Sequence, residues 1–125
     1  MADRTDSDKK AEDVSLKVFT REIPIRYLED SELEQTFRRL ADEWRDETIM
    51  YSLVLQKTAH PAYLRIIGMG EKAIPLILRE IQERGGYWFV ALSAISGEDP
   101  VQPGSNYEQA AQAWLKWGKD KGYIE

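Results

Sequence analysis

Between Asp30 and Glu47 apolar residues return every three or four positions, as Leu33, Phe37, Leu40, Ala41 and Trp44, with Glu34, Gln35, Arg38, Arg39, Asp42 and Arg45 on the opposite face. This is the helical period, so residues 31 to about 46 are predicted to form an amphipathic helix whose apolar stripe must be covered. Ser31 and Glu34 stand at capping-box spacing at its start. The run that follows, TIMYSLVLQ over residues 48–56, is apolar nearly all round and holds neither Gly nor Pro. So short a run is not typed by periodicity: it continues the helix, forms a second and more buried one, or is a strand. Its Met, Leu and Gln, with no sheet partner nearby, favour helix.

The second half alternates helical stretches with clear stops. Pro61 suits the first turn of a short helix carrying Tyr63, Leu64, Ile66 and Ile67, and Gly68 or Gly70 ends it. EKAIPLILREIQER is the next helix, with Ile74, Ile77, Leu78 and Ile81 inward, Glu80, Glu83 and Arg84 toward water, and Pro75 tolerated if the helix starts near Glu71. After Gly85-Gly86, a helix led by Trp88 places Ala91, Leu92 and Ile95 on one side and stops at Gly97. GEDPVQPGSN is a loop. Ser105 and Glu108 repeat the capping-box spacing before the last helix, which turns Tyr107, Ala110, Ala111, Trp114 and Trp117 inward, and Tyr123 and Ile124 are expected to pack back. The expected architecture is all-α: a compact domain of five to six helices over residues 29–125.

Residues 1–28 read differently. Met1 to about Asp13 is charged and small, and is predicted to be a disordered tail. Val14, Leu16 and Val18, then Ile23 and Ile25 around Pro24, alternate as in an extended segment, which Pro24 confines to a sheet edge or an arm. The arm either packs on its own domain or exchanges with a partner chain.

YLRIIGMGEKAIPLILREI followed by YWFVALSAISGEDP resembles a HEAT repeat: a helix, a glycine turn, a second helix opening on Ala-Ile-Pro, and a next repeat led by a packed Trp. The loop before AWLKWGKDKGY is similar to the end of bacterial HEAT-like proteins, with Ser96 where a threonine is usual. The likeness covers about residues 60–122. It implies a HEAT-like hairpin and a protein that binds other proteins along a helical surface. A solenoid needs about three repeats, and this length holds only about one and a half to two, so a compact domain is expected rather than an extended concave array.

Composition narrows the chemistry. With no cysteine, disulfides, thiolate metal sites and cysteine nucleophiles are excluded. A net charge of −5 argues against nucleic acid as the default partner. No apolar run approaches the length of a membrane span and no apolar signal-peptide core opens the chain, so a cytoplasmic location is expected. Gly68-Met69-Gly70-Glu71-Lys72-Ala73 matches one form of the dinucleotide fingerprint, but the segment before it reads as helix, not strand, and no second strand follows. It reads as a corner between helices. His60, the sole histidine, reads as a cap on the Pro61 helix, and a small enzyme centred on it is a lesser reading that needs a partner carboxylate in a pocket. Glu98-Asp99 reads as turn chemistry.

No catalytic, cofactor or metal residues are therefore assigned. Two tryptophans three apart on one helix of a thin domain are not expected both to be deeply buried, and exposed Trp and Tyr mark binding hot spots. The candidate partner surface is accordingly Tyr87, Trp88, Trp114 and Trp117, or the face of Tyr63, Arg65 and Glu71. The expected function is an interaction module, an adaptor or regulatory subunit, whose partner is another protein or a second copy. The alternative is an antitoxin-type inhibitor that uses its acidic N-terminal arm.

Overall fold

In a computed structural model the described residues are 30–125, so the tail and arm over residues 1–28 lie outside them. Six α-helices are present among the described residues: α1 (Asp30–Thr48), α2 (Val54–Thr58), α3 (Pro61–Gly68), α4 (Ala73–Arg84), α5 (Phe89–Ser96) and α6 (Tyr107–Lys121). The domain is all-α, as the apolar periodicity predicts. α1 packs on α3, α3 on α5, and α4 on α6. Buried residues of α1, α3, α4, α5 and α6 form one hydrophobic cluster.

Leu33, Phe37, Leu40, Ala41 and Trp44 form the buried stripe of α1. Ser31 lies inside this helix, one residue past its first, rather than capping it. The Gly68–Ala73 fingerprint is the corner it was read as. α3 ends at Gly68, Gly70 takes φ 76°, and a single 3-10 turn over Gly70–Lys72 leads into α4. Pro75 is the third residue of α4, where its missing N–H breaks no intrahelical bond. At α6 the capping box sits one residue later than expected: Asn106 accepts from the Gln109 amide at 2.9 Å, and the Gln109 side chain accepts from the Asn106 amide at 2.9 Å.

Glu80 corrects the expected outward face of α4. Its side chain is only 2% exposed, because Arg45 of α1 reaches it through two nitrogens at 2.8 and 2.9 Å and Arg84 reaches the same oxygen at 2.8 Å. Arg84 also holds Asp42 at 2.8 Å, and Arg45 donates to the carbonyl of Gly85. A buried carboxylate needs such partners, since an unpaired charge in the interior costs several kcal/mol. The network ties α1 to the C-terminal end of α4 and to the turn that follows. Gly86 in that turn has φ 111°, and a Cβ there would stand 2.9 Å from Trp88 Nε1 and 3.0 Å from Arg45 Nη2. Close approach and backbone conformation both require glycine.

Candidate functional site

The aromatic residues expected at a surface are largely interior. Tyr63 and Trp88 are fully buried, with rings stacked 5.3 Å apart, and Trp44 packs on Trp88 at 4.4 Å. Tyr63 does structural work through its hydroxyl. α5 begins after Trp88, which offers no side-chain cap, so the amide of Ala91 in its first turn needs an acceptor. Tyr63 supplies it at 2.9 Å and donates in turn to the carbonyl of Tyr87 at 3.1 Å. Burial pushes the Tyr63 hydroxyl far above the usual tyrosine range.

Trp114 and Trp117 are both buried, against the expectation that one would be exposed. They meet edge to face at 5.1 Å, and Tyr123, folded back after Gly122, stacks on Trp117 at 5.5 Å. The returning C-terminus supplies the wall that a thin domain lacked. Tyr123 also donates to exposed Glu71 at 2.8 Å, a hydrogen bond that raises its hydroxyl above the ordinary range. Arg65 is exposed on α3. Tyr63, Trp88, Trp114 and Trp117 thus form no exposed patch, while Arg65 and Glu71 remain on the surface. Tyr87 is half-buried and shares with Trp114 a groove of about 590 Å³ between α5, the 97–106 loop and the start of α6. Its rim carries exposed Val90 and Tyr107.

His60 caps α3, as its position before Pro61 suggests: Nδ1 accepts from the Ala62 amide at 3.0 Å. That contact places the ring proton on Nε2, which faces Glu47 Oε1 at 3.1 Å. Both ring nitrogens are engaged in holding α3 against the end of α1. Among the described residues no group of three or more His, Asp or Glu side chains could hold a metal ion, and no helix is long and apolar enough to cross a membrane.

Among the described residues, six of the nine exposed large hydrophobics fall in the apolar 48–56 run, for which the sequence favours helix over strand. α1 stops at Thr48, whose hydroxyl turns back to the carbonyl of Trp44. The chain turns at Ile49-Met50, and Leu53 is extended (φ −92°, ψ 128°) ahead of the five-residue α2. Ile49 is 77% exposed, Met50 89%, Leu53 60% and Leu55 79%, with Tyr51 and Val54 also exposed. Both ends of this strip are anchored. The Tyr51 amide donates to the Thr48 carbonyl at 2.9 Å, Trp44 Nε1 donates to the Lys57 carbonyl at 2.7 Å, and His60 and Glu47 close the base. The backbone is held while the side chains stand outward. Reading along the sequence missed this, although an apolar run without a polar face, next to a complete amphipathic helix, was the available signal.

No protein-family model matches the chain, and comparisons with curated proteins and with solved structures return no match either.

Proposed function

We propose that the protein is a helical protein-binding module, an adaptor or regulatory subunit, and that the Ile49–Leu55 strip is its docking surface. The observation that carries this reading is six large hydrophobic side chains exposed together on a backbone anchored at both ends. Contiguous apolar exposure of this kind marks interaction surfaces, because each such side chain gains about 1.5–3 kcal/mol on full burial. Burying the four that are more than half exposed, Ile49, Met50, Leu53 and Leu55, offsets much of the cost of association, which begins at about 4 kcal/mol. The anchors lower the ordering cost of the strip's backbone. The resemblance of residues 60–122 to HEAT-like proteins agrees with a protein-binding role.

The test compares tagged wild type, Leu53→Arg and Val90→Arg in affinity capture from cells that make the protein. A partner retained by wild type and Val90→Arg but lost from Leu53→Arg supports the strip. Loss from Val90→Arg alone moves the surface to the α5–α6 groove and refutes the assignment.

A further inference from the structure

We infer that residues Val14–Phe19 of the same chain dock on the Ile49–Leu55 strip, so that a partner reaches it by displacing them. The docking stands independently; the competition rests on the function proposed above. Three features select this occupant. The first is chemistry: Val14, Leu16 and Val18 alternate with Ser15 and Lys17, and in an extended chain alternate residues share one face, which gives an apolar edge. The strip offers the matching surface, with extended backbone at Leu53.

Charge is the second. The chain as a whole carries −5, yet the part of the arm within reach of the strip, residues 14–21, holds Lys17 and Arg21 and no acid. Glu43, Asp46 and Glu47 are exposed on the last turns of α1, where the strip begins. Arg45 in the same turns is committed to Glu80, so it does not neutralise them, and Lys57 lies beyond the far end of the strip. A basic apolar segment fits this site, and residues 1–13, with five acids against three bases, do not.

Reach is the third, and it picks the register. α1 has 19 residues, so its C-terminal end lies about 28 Å from Asp30 at 1.5 Å per residue. Val18 precedes Asp30 by twelve residues and extends up to about 40 Å at 3.3 Å each, enough to arrive. Ile25 precedes it by five, reaches only about 17 Å, and falls short. Ile23 and Ile25 therefore fall short of the strip, while Val14–Phe19 are within reach of it.

The chain has no cysteine, so pairs introduced into the full-length protein report proximity cleanly. Three double variants are treated with a short bismaleimide: Leu16→Cys with Leu53→Cys, Ile25→Cys with Leu53→Cys, and Asp3→Cys with Leu53→Cys. The Leu16 pair is expected to close within the monomer several-fold faster than either other pair, at a rate independent of protein concentration, since an attached segment sees the site at an effective concentration on the order of mM. Adding Val18→Asp should bring it down to the Asp3 level. A Leu16 pair no faster than the Asp3 pair, insensitivity to Val18→Asp, or a product that is a covalent dimer would each overturn the inference, the last by assigning the strip to a second copy. If closure fails while Leu53→Arg still abolishes capture, only the arm assignment falls. If closure succeeds while capture is indifferent to Leu53→Arg, only the partner surface falls.

Discussion

Replacing Tyr63 by phenylalanine isolates one oxygen atom. The ring keeps its stack on Trp88 and its contact with Trp44, so packing is nearly unchanged. What disappears is the acceptor for the Ala91 amide and the donor to the Tyr87 carbonyl. Ala91 is fully buried, and a buried donor left without a partner costs about 1–3 kcal/mol. For a domain of this size each kcal/mol moves the melting temperature by roughly 4–8 °C, so Tyr63→Phe should melt about 10 °C below wild type at neutral pH. The pH dependence adds a signature. The hydroxyl's folded pKa is raised by burial above the unfolded value near 10, so its contribution is fully present below about pH 10 and is lost as pH rises toward the folded pKa. Wild type should lose up to about 1.4 kcal/mol per pH unit through this group, and the phenylalanine variant loses none through it. The gap between the two stabilities should narrow by about 1 kcal/mol between pH 10 and 11 in urea unfolding. A neutral-pH loss under about 0.5 kcal/mol, less than one typical hydrogen bond, or a constant gap across that range, would refute the role assigned to the hydroxyl.

Four other outcomes follow. Glu80→Gln takes the shared carboxylate from Arg45 and Arg84, which are partly exposed, and should cost about 1.5–3 kcal/mol in chemical denaturation, while Arg38→Ala, at the exposed Arg38–Glu83 pair, should cost under about 1 kcal/mol. His60→Ala should lower stability by about 1 kcal/mol and His60→Asn should recover most of it, because asparagine also caps; no recovery would assign the loss to the Glu47 contact. Gly118→Ala drives a methyl into the Leu78 side chain and should destabilise by about 1–3 kcal/mol, measured by thermal melting. Removal of residues 1–28 should strengthen partner binding several-fold in a titration, by freeing the strip; weaker binding would instead assign the arm itself to the partner, as an inhibitor-type arm requires.

The helices were legible where periodicity and stops agree. The stripe of α1, the glycine corner at Gly68–Gly70 and the Gly97 stop depend on neighbours in sequence. The misplaced cap at α6 arose because Ser105-Glu108 and Asn106-Gln109 are overlapping boxes, and only the entry path of the chain chooses between them. Glu80 shows the limit more sharply. Its pairing with Arg84 is an i,i+4 feature, but its burial depends on Arg45, 35 residues away. Trp117 is covered by Tyr123 only because Gly122 turns the chain back. Composition likewise does not say whether an apolar run is inside. TIMYSLVLQ is apolar enough for a second, more buried helix, yet α1 already supplies that layer, and the Thr48 stop with the Trp44–Lys57 hydrogen bond sets the run outside it.

Partner binding is assigned to the Ile49–Leu55 strip. Once a partner is captured, its dissociation constant should be measured by titration against wild type, Leu53→Arg and Val90→Arg, with equal melting temperatures as the control for folding. Placing a charge at the centre of an apolar interface should weaken binding at least about tenfold, equivalent to 1.4 kcal/mol, in Leu53→Arg and leave Val90→Arg at the wild-type value. Unchanged affinity in Leu53→Arg would contradict the claim.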